Sequence, residues 1–391
     1  MTPNLKYTIL ALVIAVIFLT VLFSIIVSGD CYGAEACNPT ANPIGGGAGY
    51  NKIISQTDTR VKYVVSNKDQ LITALNSAKS GDVIFVPGNA NIDLSGRSNI
   101  IIPGGVTLAS NRGSEGSPGG RIFLSRTSND PPNDWNNWPM FRAGGNNITI
   151  TGLRIEGPDY SNASVAPLMP RTGIFSQDKY GFIVENCEIS NWSAAGVHVR
   201  VADGNTALNQ MGLNSFSDIA YIHHNYFHNC QGADEGYGVQ MGGGTALIEA
   251  NLFDYTRHAI AGGGQPSEGY EARYNVHLGN TTSHSFDVHQ WPYAVPPAPG
   301  AIAGNTYRIH HNTFYKSHPD LDHAEDFAVA IRSLPVNGVW IDHNIMQWKG
   351  YVHLSPVCQV YANGRMYMTK NVIGQDKVFY PDGPIRLQSA Q

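Results

Sequence analysis

The sequence predicts an all-β chain wound as a β solenoid, and three observations carry that reading. A short phrase (an apolar residue, two residues, Asn, one residue, another apolar residue) returns seven times. It reads IVENCEI at Asn186, IHHNYF at Asn225, IEANLF at Asn251, ARYNVHL at Asn275, IHHNTF at Asn312, IDHNIM at Asn344 and MTKNVI at Asn371. The spacings of 39, 26, 24, 37, 32 and 27 residues suit coils that stack on their neighbours. Charged residues make up only 14% of the chain while glycine reaches 42, a balance that fits stacked turns better than solvated helices. Upstream of the repeat, DVIFVPG, NIDLSG, SNIIIPGGVTLAS and RIFLS alternate with Gly, Pro and Asn turns, as successive coils would. Asn suits a corner: it tolerates left-handed backbone, and its amide can bond to the coil above or below.

From the N-terminus, Lys6 precedes an uncharged apolar run over Tyr7–Val27. About 20 residues of helix cross a bilayer, so residues 1–30 read as a transmembrane signal-anchor. Lys6 on the short side puts the remainder outside the cytoplasm, an anchored extracytoplasmic domain. Residues 31–60, with Pro39, Pro43 and Gly45–Gly47, read as a flexible linker. Cys31 and Cys37 are placed for a local disulfide, whereas Cys187 and Cys230 read as buried thiols. Residues 61–391 form the solenoid. It opens on a capping pattern, Ser66-Asn67-Lys68-Asp69, and a short helix whose Leu71, Leu75 and Ala78 share a face and cover the open end of the coils. Residues 111–145 read as a surface loop, and insertions are expected around 200–216, 291–305 and 316–326, on the binding side of the solenoid. The net charge of −5 gives no support to a nucleic-acid partner.

The repeat also sorts residues into columns. Two positions before the Asn stand Val184, His223, Glu249, Arg273, His310, Asp342 and Thr369, a column of complementary charges. It reads either as a surface ladder of ion pairs or, at His310 and Asp342, as a metal site. His311 and His343 stack one position later and read as hydrogen-bonded structure. Phe227, Phe253, His277, Phe314, Met346 and Ile373, two positions after the Asn, form the core stack. A further set of strands, GVHVR, GVQM, RHAIAG, FDVHQ and AVAIR, turns a different group outward.

The stretch SNKDQLITALNSAKSGDVIFVPGNANIDLSG, followed by GGVTLASNRG, resembles the start of pectate-lyase-like proteins, and IHHNYF and VWIDHN resemble phrases of that superfamily. The resemblance implies a right-handed, single-stranded parallel β-helix, often acting on acidic polysaccharides. The chain departs from that family's catalytic motifs. Arg332-Ser333-Leu334-Pro335-Val336-Asn337 lacks the second Arg of Arg-x-Pro-x-x-Arg, and Asp342-His343-Asn344 lacks the Asp-Gly that follows Trp-Ile-Asp-His.

The outward set of the further strands is the candidate groove. Eliminative cleavage of a uronate needs a cation on the carboxylate, a base for the proton α to it and an acid for the leaving oxygen. Arg257 and Arg332 suit the first role, His258, His284 and His289 the others, with Asp287 orienting a histidine. His198, Arg200 and Gln240 extend the floor for substrate, and Tyr237, Tyr270 and Trp291 are candidates to stack on sugar rings. Loop residues Asp234, Glu235 and Glu268 add acid groups, and Asp320, Asp322 and Asp326 suit a hard cation such as Ca2+. Hydrolysis needs two carboxylates about 5–9.5 Å apart, and only Asp287 lies clearly on this floor. The expected partner is an acidic polysaccharide or surface glycan, met either by a polysaccharide lyase-like enzyme or by a non-catalytic, adhesin-like envelope or glycan-binding protein.

Overall fold

The computed structural model describes residues 31–125, 139–158, 171–232, 235–293, 299–315, 328–347, 352–354, 365–373 and 378–379. Their strands form three long sheets of 11, nine and 11 strands. Each coil contributes one short strand to each sheet, as Ala220–His223, Tyr226–Cys230 and Tyr237–Met241 do. Each strand pairs in parallel with its equivalent one coil later: Ile222 with Ile248, Phe227 with Phe253, Val239 with Ile260. Among the described strands only the last pair, Val372–Ile373 with Val378–Phe379, is antiparallel. The chain is therefore a parallel β-helix, the fold that the resemblance to pectate-lyase-like proteins implies.

The core follows from the register. Inward positions repeat every coil, so like residues stack: Phe227, Phe253, His277, Phe314 and Met346 lie in one column, all buried. Each buried Phe is worth about 1.5–3 kcal/mol in apolar burial. His277 sits in this column as expected, its Nδ1 accepting from Gly279 N at 3.3 Å. At the N-terminal end the helix Lys68–Ser77 closes the stack with Leu71, Ala74 and Leu75 buried. Its cap is Asn67, which accepts from Gln70 N at 3.0 Å, while Gln70 Oε1 reaches back to Ser66 N at 2.9 Å. The helix is capped one residue later than the sequence pattern suggested, and the bond back from Gln70 goes to Ser66, the residue before the cap. Pro139–Ala143, expected within a surface loop, is a strand of the second sheet.

The asparagine repeat is a continuous amide ladder. Asn225 Nδ2 donates to Asn251 Oδ1, Asn251 to Asn275, Asn275 to Asn312, Asn312 to Asn344 and Asn344 to Asn371, all at 2.9–3.0 Å. Each of these amides also reaches a carbonyl of the preceding coil, as Asn275 Nδ2 does to Ile248 O. Two expectations are corrected. The left-handed residue of the corner is the one before the Asn, for example His224, Tyr274, His311 and His343, with φ of 53–55°. In addition, Asn186 belongs one position earlier. Glu185 pairs with His223, so Asn186 occupies the left-handed corner, with φ of 52°, and Cys187 stands where the other coils have Asn. The outward column of charges accordingly begins at Glu185, whose carboxylate lies 3.1 Å from His223 Nε2. Further along, Glu249 and Glu271 each hold Arg273 at 2.7 Å.

Residues 31–60, expected as a flexible linker, pack on the solenoid as a strap. Gly33 N bonds to His343 O, Gly45 N to Ala250 O and Gly47 N to Asn186 Oδ1. Thr40 Oγ1 meets His224 Nε2 at 2.9 Å, and Tyr50 OH donates to Glu185 at 2.9 Å. The strap satisfies corner groups over many coils, which a tether has no means to do. Gly46 has φ of 69°, and a Cβ there would stand 2.3 Å from His224 O, so the run Gly45–Gly47 allows close approach rather than looseness. Cys31 and Cys37 form the expected disulfide, and Cys187 and Cys230 are buried free thiols. The expected membrane span lies outside the described residues; among the described residues no helix is long and apolar enough to cross a membrane.

Candidate functional site

On the second sheet, parallel register places Phe175, His198, Gln240, Ala261, Asp287 and Ala330 in one outward column, with steps of about 4.8 Å. One residue beyond Val199, Met241, Gly262, Val288 and Ile331, a second outward column follows: Arg200, Gly242, Gly263, His289 and Arg332. Gly242, Gly263 and Ala261 present almost no side chain. They leave a shallow floor between Arg200 and Gln240 at one end and Asp287, His289 and Arg332 at the other, about 14 Å from Arg200 to His289. Gln265 folds its amide back over Gly263. The Oε1 atoms of Gln240 and Gln265 are buried without a hydrogen-bond partner.

A third, aromatic column stands where the chain enters the sheet. Tyr237, His258 and His284 stack with ring centroids 5.4 and 5.9 Å apart and planes within 17–18°. Strict alternation would turn His258 inward with Ile260. Instead Ala259 and Ile260 are both core residues, and the break in alternation puts His258 beside Asp287.

Asp287 is the centre of the cluster. It is 0% exposed and faces three basic side chains. Arg332 Nε and Nη2 grip its two oxygens at 2.8 and 2.6 Å, His289 Nε2 lies 3.1 Å away and His258 Nε2 3.3 Å away. Burial works against the carboxylate, but the bonds from His289 and Arg332 hold it well below the usual carboxylate range. His258 is itself fully buried, and that burial drives its imidazole down to about 3. The ring is neutral at pH 7. Its proton sits on Nδ1, which bonds to His284 O at 2.6 Å, and Nε2 faces Asp287 outside hydrogen-bond geometry. His289 differs: its side chain is 24% exposed. With Nε2 directed at Asp287, Nδ1 is turned away from the carboxylate.

The wall of the floor is made by two glycine runs, Gly242–Gly244 and Gly262–Gly264. Glu268, 0% exposed, ties them together. It accepts from Gly243, Gly263 and Gly264 backbone N–H at 3.0–3.2 Å and from Tyr307 OH at 3.1 Å. Burial pushes this carboxyl up to about 7 against those donors. The expectation of an exposed acidic loop group is thus corrected for Glu268, which is a structural clasp.

The remaining candidates sort as follows. Arg257 is half-buried at the aromatic column and its charge acts on Tyr237, whose phenol burial raises to about 12. His284 is half-buried at the end of that column. Arg200 is exposed, Gln240 half-buried and His198 9% exposed against Phe175, ring centroids 4.9 Å apart. Trp291 is 41% exposed at the rim. Tyr237 is only 7% exposed, a wall of the stack rather than an open platform. Tyr270 is corrected outright: it is 0% exposed and packs edge-on against Tyr307 in the core, because it pairs within the first sheet rather than the second. Glu235 is taken up by an ion pair with Arg171. Asp234, Asp320, Asp322 and Asp326 lie outside the described residues. Tyr293, not anticipated from the sequence, is 63% exposed with its ring 5.6 Å from that of His289; its only signal was an aromatic four residues beyond a candidate histidine. The triple glycines in successive coils were a legible sign of the bare floor.

No family model and no curated protein matches the chain. Among solved structures, it is similar to an alginate lyase from Paenibacillus sp. str. FPU-7, at 16% identity and a TM-score of 0.36, over 79% of this chain and 98% of that one. It is also similar to the PL6 family alginate lyase AlyGC, at 13% identity and a TM-score of 0.38, over 82% of this chain and 52% of that one, so it spans about half the length of that protein.

Proposed function

We propose that the outer face of the second sheet is a carbohydrate groove in which a uronate-containing glycan is cleaved by β-elimination. The observation that supports this most is the convergence of His289, Arg332 and His258 on the buried carboxylate of Asp287, at the end of a floor stripped of side chains. Asp287 holds the His289 ring so that Nδ1 takes the proton α to the uronate carboxylate; the electron pair left behind forms the carbon–carbon double bond as the glycosidic C–O bond breaks, and water on the open floor protonates the leaving oxygen. The remaining Nη1 edge of Arg332 meets that carboxylate, with Arg257 and Arg200 supplying further positive charge along the chain of sugars. Tyr293 and Trp291 offer ring faces at the rim. The domain belongs, on this reading, outside the cytoplasm on a membrane anchor formed by residues 1–30.

Two observations favour the second reading, a glycan-binding protein without catalysis: Arg332 already spends Nε and Nη2 on Asp287, and His258 meets no solvent. Incubating the full chain with a panel of uronate polysaccharides separates the two. Elimination leaves an unsaturated sugar read by ultraviolet absorbance, and His289→Ala should lower kcat by at least about 100-fold, the span of a lost general base. Binding of the glycan with no unsaturated product establishes the second reading; absence of both overturns the groove.

A further inference from the structure

The outward face of the second sheet continues past Arg200. His198 pairs with Phe175, Phe175 with Arg142 and Arg142 with Ile101, so the first groove column runs on for three more strands. Arg142 is half-buried there. Its guanidinium lies over the Phe175 ring, 4.7 Å from the centroid, and its Nε donates to Asn99 Oδ1 at 2.5 Å. A guanidinium stacked on an aromatic face and tied at Nε has a fixed plane, and its two Nη groups form a fork that suits a carboxylate. Arg200 stands exposed in the neighbouring column, paired in register with Gln177.

These two arginines have no acid, unlike their counterparts elsewhere on the coils. Outward arginines of the other sheets are neutralised, Arg121 by Glu156 and Arg273 by Glu249 and Glu271, and in the groove Arg332 is held by Asp287. Among the described residues neither Arg142 nor Arg200 forms an ion pair. Asp178, next to Gln177, turns its Oδ1 to Ala202 N at 2.9 Å. On a chain of net charge −5, two unpaired cations on one face suit an anion from outside. The spacing indicates its kind. Strands step by about 4.8 Å, so Arg200 stands about 10 Å from Arg142, two strands on, and Arg332 about 19 Å further, four strands on. One residue of an extended 1,4-linked pyranose chain is about as long as one such step, and alternate residues turn their carboxylates to the same edge. Even numbers of strands therefore keep all three arginines on one edge of the glycan. We propose that Arg142 and Arg200 form a distal carboxylate subsite, and that the groove takes a polyuronate laid along the coil axis. One sugar lies over each of the seven strands from Pro139–Ala143 to Val329–Ile331. The subsite rests on the reading of the groove as a uronate site. Gly242, Ala261 and Gly263 are then the bare track crossed by the sugars between its two charged ends.

Fluorescence anisotropy of end-labelled trimers and octamers of mannuronate, glucuronate and galacturonate tests this, read with the full chain on ice within seconds of mixing. The octamer of at least one sugar is expected to bind at least tenfold more tightly than its trimer. The Arg142→Gln/Arg200→Gln double variant is expected to lose that preference. Arg200→Gln alone, at an exposed position, reads the subsite free of any effect on folding and should weaken the octamer at least threefold. Arg60→Gln, which removes a cation paired with Asp58 outside the groove, should keep the full preference and so controls for net charge. A parent chain that binds octamer and trimer equally, or a double variant that keeps the preference, overturns the distal subsite and leaves the groove standing. A parent chain that binds none of the oligomers overturns the groove itself.

Discussion

Two fully buried carboxylates sit at the edge of the same floor and behave in opposite ways. Asp287 and Glu268 are both 0% exposed, and burial raises both. Asp287 faces Arg332, His289 and His258 and ends far below the usual range. Glu268 faces only backbone N–H groups and the Tyr307 hydroxyl and ends near 7. Burial is therefore not what separates the Asp287 cluster from the Glu268 clasp; the charge of the partners is. Partial positive charges satisfy geometry, whereas full ones decide ionisation.

The largest effect that sharpens the contrast is expected at Asp287. Asp287→Ala strands a guanidinium and an imidazole that are only partly solvated, and losing one side of a buried pair destabilises by about 3–5 kcal/mol. Chemical denaturation should show a loss near 3 kcal/mol, because Arg332 and His289 regain some water. A loss below about 1 kcal/mol would mean that the cluster is not coupled as drawn. The pH dependence follows from the lowered Asp287 carboxyl. Its stabilisation is complete above the unfolded value of about 3.9 and disappears as pH falls, so the variant should lose part of the acid sensitivity of the parent.

Glu268 should give the opposite slope. Its folded value is raised from 4.5 to about 7, so the stability it contributes is fully present below about pH 4.5 and is lost as pH rises through about 7. Thermal unfolding between pH 5 and 8 should therefore fall less steeply in Glu268→Gln than in the parent. The same variant turns an amide NH2 toward backbone donors and should lose about 1–3 kcal/mol at pH 5. Identical slopes in the two chains would show that the donors outweigh burial and that the clasp stays ionised throughout.

This pair also explains how much was visible beforehand. The coils, their core stack and the outward set on the second sheet follow from period and alternation, so Asp287, His289 and Arg332 were legible. His258 came within reach because it enters the sheet at a corner, but its burial depends on Ala259 and Ile260 both turning inward, which no alternation rule announces. Glu268 and Tyr270 were misplaced for one reason: they stand at the start of the first-sheet strand Gly269–Arg273, whose sheet is set by register across coils rather than by local pattern. The strap was missed because Gly45–Gly47 has the same composition whether it is loose or tightly packed. Asn186 shows the limit of the repeat itself. Matching on Asn shifted one coil by a residue, and only pairing of Glu185 with His223 reveals that Cys187 holds the ladder position.

The smallest expected effect belongs to the charge column of the first sheet, and it bears on why the groove differs from an ordinary polar face. There Arg273 lies between Glu249 and Glu271 at 2.7 Å from each, with bonds as short as those around Asp287. The arginines do not differ, since Arg273 keeps 32% of its side chain exposed and Arg332 33%. The difference is on the acid side: Glu271 keeps 13% exposed against 0% for Asp287, and the loss of Arg273 is shared between two acids, of which Glu249 keeps Tyr221 OH as a donor. Arg273→Ala should destabilise by no more than about 1 kcal/mol, and the effect should shrink further in high salt. A salt-independent loss of 3 kcal/mol would place this column in the same class as the Asp287 cluster. It would then remove the argument that a desolvated carboxylate, rather than a dense set of charges, sets the proposed groove apart from an ordinary polar face.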